Sequence, residues 1–306
     1  MKALIQNYAS VDTTEPLYLS ECLNSVGIET TTWKNQDVSA FDMFDLSNPN
    51  LFITHYNLVT NDIIKYLSGH HNIECILNIT GASQEHIDML DNMFTKNKIK
   101  CPFVFTNQPT KLNNLISRKI KLVSIMHGAD CFLHQQGIGV ENFSIELGII
   151  TDYSSKQDLH QLTENYSTYH YVTHKDMVDA DIVSPVLHLY PLYHNYLQTV
   201  IAYKDAYIPQ SFFDAVFYGN EVYTVINSSQ QSNRLSDALQ SSVKTSTKLA
   251  CTPSEVPKPG SIDFNTVKKQ ITSNHTCFHR TKRLLSKLKC SEAENNMDQL
   301  IAKVCK

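Results

Sequence analysis

The strongest constraint on this chain is a rhythm of short apolar runs, each followed by a stretch with helical spacing. Lys2 to Tyr8 opens with Ala3, Leu4 and Ile5 in a row. Such a run suits a parallel strand covered on both faces. A helix is predicted from about Pro16 to Val26, with Pro16 in its first turn and Gly27 at its stop. Further strands are predicted at Ile28 to Trp33, Leu51 to Tyr56, Glu74 to Ile79, Pro102 to Phe105 and Leu122 to Met126. Helices are predicted at Thr60 to Ser68, at Ser83 to Lys96, and between the last two strands. Ile87, Leu90 and Phe94 share one helical face. Strand, helix, strand at this spacing predicts a doubly wound parallel sheet. Ligands of such sheets bind beyond the carboxyl ends of the strands.

A second series follows a linker at 135–142. Strands are predicted at Leu147 to Thr151, Tyr169 to Thr173, Ile182 to Leu189, Gln198 to Tyr203 and Val222 to Ile226. Helical segments are predicted at Lys156 to Asn165 and Asp176 to Ala180. This is a second Rossmann-like unit. The expected division is 1–134, 135–250, and a helical tail at 251–306. The tail begins with CTPSEVPKPGS, a Pro-containing linker, and continues into helices at Val267 to Ser273 and Thr281 to Lys289.

Composition narrows the class. Hydrophobic residues are 42% and charged residues 18%, enough for a core and against wholesale disorder. No apolar run reaches the length of a membrane span. The start, MKALIQNYAS, reads as a strand rather than a secretory leader. Eight scattered cysteines without a CxxC pair signal neither zinc nor a disulfide framework, and a reducing cytoplasmic setting is expected. Net charge is uneven. Residues 228–306 hold 13 Lys/Arg against 6 Asp/Glu, whereas the rest holds 13 against 24. A basic tail on an acidic body suggests a polyanionic partner or an anionic membrane surface.

Three segments carry candidate chemistry. His127-Gly128-Ala129-Asp130 follows a buried strand; histidine is the residue type whose unperturbed side chain serves as acid or base near neutrality, and the glycine permits close backbone approach. Thr151-Asp152-Tyr153-Ser154-Ser155 ends another strand. Ile208 to Ile226 reads as a loop closed by Pro209 and Gln210, a helix capped by Ser211 with Asp214 in its first turn, a stop at Gly219, and a buried strand. A helix N-terminus with free N–H groups binds phosphate. GxGxxG and GxxxxGK[ST] are both absent from the sequence, which argues against a dinucleotide dehydrogenase or a P-loop nucleotidase. Asp179-Ala180-Asp181 spells a DxD motif but sits at a helix end and strand start, so no metal is expected.

The order of these segments resembles the two-domain glycosyltransferases of GT-B architecture, in which two Rossmann-like domains face a cleft. His127-Gly128 is similar to the His-Gly at the cleft rim of enzymes that build capsule or teichoic-acid polymers. TDYSS is similar to a segment of polyol-phosphate polymerases, although FFDA follows it only some 60 residues later here. The retaining families' paired acids are not reproduced, since Ala206 stands where the first should be. The resemblance implies a metal-independent enzyme with no cofactor, moving a sugar from a nucleotide-sugar to a glycan or lipid-linked glycan. It assigns His127 and Asp130 to catalysis, His127 as base or phosphate contact. It assigns Gly128, Asp152, Ser154, Lys204, Gln210, Ser211 and Asp214 to the donor, with Arg234 in reserve for Lys204. Asn7 and Asp12 fall to the acceptor. The basic tail, including His279, Arg280, Lys282 and Arg283 beside Leu284, Leu285 and Leu288, would pack back on the first domain or touch the inner membrane face. Other readings are a phage-type DNA glycosyltransferase, a polyol-phosphate transferase, and a non-catalytic nucleotide-sugar binder.

Overall fold

The expected strands form two sheets, and every strand pair in both is parallel. The structure is a computed structural model. It describes residues 1–8, 14–34, 38–108, 112–132, 145–152, 159–173, 180–183, 193, 195–203, 208–225, 236–237, 239–241, 243–261 and 263–305. The chain divides into two compact units. One comprises Met1–Ala9, Glu15–Met126 and Phe278–Val304; the other comprises Ser10–Thr14, His127–Cys277 and Cys305–Lys306.

In the first unit, β1 (Lys2–Gln6), β2 (Glu29–Trp33), β3 (Leu51–His55), β4 (Glu74–Asn78), β5 (Val104–Thr106) and β6 (Leu122–Ser124) lie in the order β2-β1-β3-β4-β5-β6. The helices are α1 (Glu15–Ser25), α2 (Ala40–Ser47), α3 (Asn61–Gly69) and α4 (Gln84–Lys96). Side-chain caps start three of them: Ser39 accepts from Asp42 N, Thr60 from Ile63 N, and Ser83 from His86 N. Gly27 takes a positive φ of 86° after α1, a turn that favours glycine. On the helix-covered faces, Phe44 packs against Phe52 and stacks on Tyr66 within one continuous apolar core.

The helix expected between β5 and β6 falls partly outside the described residues, at 109–111; Leu112 is helical, and 113–121 form turns and bends. Asp91 ties down this last stretch by accepting from Ser117 Oγ and Arg118 N. Helix α2 was not expected, because its apolar pattern spans only two turns.

In the second unit, β7 (Ile145–Thr151), β8 (Tyr169–Thr173), β9 (Ile182–Val183), β10 (Tyr196–Ala202), β11 (Glu221–Val225) and β12 (Ala250–Cys251) lie in the order β12-β11-β10-β7-β8-β9. Helices α5 (His160–Thr163), α6 (Gln210–Phe217) and α7 (Asn265–Asn274) accompany them. Helix α6 is buried almost all round, with Phe212, Phe213, Ala215 and Val216 inaccessible. Asp181, the second acid of the DxD spelling, accepts from Tyr171 N at 2.7 Å and so ties β8 to the start of β9. Its partner Asp179 lies outside the described residues.

The tail forms α7, α8 (Cys277–Lys287) and α9 (Ser291–Val304). Helix α9 was missed because only Ala293 and Met297 are buried along it, too few for a periodic signal. The apolar stripe of α8 is occupied, with Leu284 and Leu285 buried in the first unit's interior. Arg280 corrects the reading most sharply. It is not part of a solvated basic cluster but is only 2% exposed. Its guanidinium pairs with Glu15 at 2.7 Å and donates to the carbonyls of Ile125 and Met126 and to Asn107 Oδ1. Glu15 also accepts from Tyr8 OH, Asn78 Nδ2 and Asn107 Nδ2. Among the described residues no helix is long and apolar enough to cross a membrane. All eight cysteines are free thiols.

Removing one member of a buried ion pair leaves the other uncompensated and costs about 3–5 kcal/mol. Arg280→Met is therefore expected to lower unfolding stability in urea by about that amount. The double variant Glu15→Gln with Arg280→Met recovers part of the loss.

Candidate functional site

In each sheet the strand order reverses at one place, and that place marks where a doubly wound sheet binds its ligand. In the second unit the reversal lies between β7 and β10, which are hydrogen-bonded neighbours from Tyr196↔Ile145 to Ala202↔Thr151. Asp152 follows the end of β7 directly and is half-buried. The chain leaving β10 leads through Tyr203 to α6, so the N-terminus of α6 follows the same strand end. Ser154, Lys204 and Arg234 lie outside the described residues.

The start of α6 differs from the expected one. Pro209, in extended conformation, is the N-cap residue and provides no side-chain hydrogen bond. The helix begins at Gln210, two residues before the expected first helical residue, so Ser211 is inside it and Asp214 is beyond the first turn. Proline cannot cap through its side chain but does fit a helix entry. The Ser211 hydroxyl is fully buried and has no hydrogen-bond partner among the described residues.

Gln210, Asp214, Thr14 and Asp130 form one buried polar cluster. Asp130 N donates to Asp214 Oδ1 at 2.6 Å, and Gln210 Nε2 donates to Asp214 Oδ2 at 3.2 Å. Thr14 Oγ1 donates to Asp130 Oδ2 at 2.6 Å, and Thr14 N donates to Gln210 Oε1 at 3.0 Å. Tyr218 OH donates to the Asp130 carbonyl, and Phe132 N donates to Asp130 Oδ1. The structure thus brings together Asp130, Gln210 and Asp214 from the sequence reading and adds Thr14 and Tyr218, which no local pattern marked. Burial raises the Asp214 carboxyl well above the usual carboxylate range, and the Asp130 carboxylate adds to the rise.

The loop containing His127 is held from its other side. Ala129 N donates to the His275 carbonyl and Cys277 N donates to the Ala129 carbonyl, both at 2.7 Å. A Cβ on Gly128 would lie 2.5 Å from the Thr276 carbonyl oxygen. Glycine is needed here because the chain's own backbone passes so close. His127 is buried, 5% exposed, beside this bridge.

In the first unit the reversal lies between β1 and β3. Gln6 and Thr54 hydrogen-bond across it. Asn7 continues β1 by donating its backbone N–H to Trp33 O, and its side chain is half-buried at the strand end. His55 ends β3, with its ring nitrogens meeting Thr80 O and Asn57 Oδ1. Behind them, Tyr8, Asn78, Asn107, Glu15 and Arg280 form the buried polar layer described above. Burial and the neighbouring Glu15 raise the Tyr8 hydroxyl well above its ordinary value, so it stays a donor. Asp12 lies outside the described residues. Among the described residues no three His, Cys, Asp or Glu side chains cluster as a metal ion would require.

No protein-family model matches the sequence, and neither does any curated protein. Solved structures do match in fold. Sucrose-phosphate synthase from Thermosynechococcus elongatus aligns over 96% of this chain and 99% of its own, with a TM-score of 0.56 at 8% identity. Anabaena HepE in complex with UDP and glucose aligns over 94% of this chain and 99% of its own, with a TM-score of 0.51 at 11% identity. The two parallel-sheet α/β units are those of the GT-B glycosyltransferase fold.

The cluster predicts a pH effect. A carboxyl whose pKa is raised on folding holds its proton more tightly in the folded chain, so its stabilising contribution is full below the unfolded value, about 3.9. That contribution is lost as pH rises from there through the folded value. Wild-type stability relative to Asp214→Asn should therefore fall as pH increases above about 4, read by thermal unfolding across a pH series. Gly128→Ala is expected to lower stability by about 1–3 kcal/mol through overpacking against Thr276, as chemical denaturation would show.

Proposed function

We propose that this protein is a glycosyltransferase that moves a sugar from a nucleotide-sugar donor to a glycan acceptor. The observation that carries the reading is the GT-B fold along nearly the whole chain, shared with sucrose-phosphate synthase. HepE, of the same fold, was captured with UDP and glucose. The donor is assigned to the strand reversal of the second unit, where Asp152 and the N-terminal turn of α6 follow the ends of β7 and β10. Backbone N–H groups at a helix start suit a diphosphate, but Gln210 and Ser211 are inaccessible here, so Asp152 carries the assignment. Lys204 is the proposed cation for that diphosphate, and Ser154 a further donor contact.

Asp214 and Gln210 take a different role from the one the resemblance implied. Their side chains are inaccessible and already bonded to Asp130 and Thr14. They are proposed to position the loop from His127 to Asp130, and His127 is proposed as base or phosphate contact. Asn7, at the reversal of the first unit's sheet, is the proposed acceptor contact, with Asp12 beside it in sequence. The acceptor class we favour is a surface or lipid-linked glycan, made at the cytoplasmic side of a membrane.

The burial of Asp214 favours one second reading, a non-catalytic nucleotide-sugar binder with the same fold. A donor panel separates the two. With the transferase reading, one nucleotide-sugar raises the melting temperature and its nucleoside diphosphate is released on adding acceptor. Ligand at 100 times its dissociation constant stabilises by about 2.7 kcal/mol. Asp152→Ala should reduce that donor-dependent shift more than it lowers the melting temperature without donor. Stabilisation without any nucleotide release from the whole panel would establish the binder, and no stabilisation by any donor refutes both.

A further inference from the structure

We infer that the loop at residues 113–121 of the first unit is a docking surface for an anionic lipid bilayer. The sequence concentrates charge here. Residues 96–121 contain seven Lys/Arg and no Asp or Glu, although the chain up to residue 227 is acidic. Three of the seven lie in the loop, and Lys100 pairs with Glu74. Asp88 and Asp91 of α4 stand at the loop's base, where Gln84 and Ser117 bond them. Within the loop, Arg118, Lys119 and Lys121 are exposed, and none of the three is in an ion pair among the described residues.

A single exposed apolar side chain is ordinary on a protein surface. Ile116 is held out by more than chance packing. It is 70% exposed while its neighbours Leu115 and Ile120 pack toward the core. Its backbone is clamped on both sides by one side chain: Ile116 N donates to Gln84 Oε1 at 2.7 Å, and Gln84 Nε2 donates to the Ile116 carbonyl at 2.6 Å. Asp91 fixes the next two residues through Ser117 Oγ and Arg118 N. Met89, 46% exposed, adds apolar surface on α4, the helix that supplies this clamp. The result is a fixed apolar tip followed directly by cations, the pattern of a group that enters the headgroup layer while its charges meet anionic lipid. The tail offers less for this purpose, since Leu284 and Leu285 of α8 are buried and Lys282 pairs with Asp298.

The experiment is sedimentation of the full chain with vesicles of phosphatidylcholine, with and without phosphatidylglycerol, and without any donor. Leaving out the donor makes its outcome independent of the transferase reading. Binding is expected only with phosphatidylglycerol and should weaken with salt. Removing charge through Arg118→Ala, Lys119→Ala and Lys121→Ala should cost roughly fivefold per residue. Ile116→Glu should abolish binding while leaving the melting temperature unchanged, because the side chain is in solvent. Arg283→Glu with Lys287→Glu, on the exposed side of α8, should retain most of the binding. The proposal is overturned if the chain ignores phosphatidylglycerol vesicles or if Ile116→Glu binds like wild type. It is also overturned if only the α8 variant loses binding, or if duplex DNA binds the loop in preference to vesicles.

Discussion

The first unit depends on the pairing of Glu15 with Arg280. Two charges in a dry interior gain little net free energy from each other, because desolvation consumes most of the attraction. What the pair does achieve is register. Glu15 at the start of α1 collects donors from Tyr8, Asn78 and Asn107, which follow or end β1, β4 and β5. Arg280 collects the carbonyls of Ile125 and Met126 just past β6 and stands over the Phe105 ring. Four strand ends, one early helix and one late helix thus converge on two side chains. An apolar cluster of equal volume would not dictate which strand end goes where, whereas a network of directional donors and acceptors does.

The second unit uses a related device on a smaller scale. Asp214 reaches from α6 to the backbone of Asp130, and Gln210 reaches to Thr14. The loop carrying His127 is thereby fixed to the helix that follows β10. Its other flank bridges to Thr276, close enough that only glycine fits at 128. A residue whose side chain is needed to hold a loop is a poor contact for a sugar, which is why we propose a positioning role for Asp214. The strand-end residues Asp152 and Asn7, each half-buried beside a sheet reversal, are the contacts proposed in its place.

Much of the fold was legible because it rests on local signals. Near-continuous apolar runs located β1, β3, β4 and β7 to within a residue or two, and Ser83 and Gly27 marked a helix start and stop as capping chemistry requires. The α6 motif was legible in type but not in detail. Ser-x-x-Asp looks like a cap, yet Pro209 starts the helix two residues earlier and the serine is buried within it. Arg280 was not legible at all. It lies in a run of basic residues, and nothing within ten residues of it reveals that its partner is Glu15. The same holds for Thr14, which contacts Gln210 across 196 positions of sequence. Periodicity reports which face of an element is buried, but not which distant charge waits there.

The return of residues 278–304 to the first unit has a consequence for biogenesis. As the nascent chain leaves the ribosome, β1 to β6 emerge long before α8, so Glu15 waits without its cation while the second sheet is being made. Amino-terminal segments ordinarily fold first during synthesis. Here the carboxy-terminal segment must arrive before the amino-terminal unit is complete, so the first sheet stays unfinished until α8 has been made.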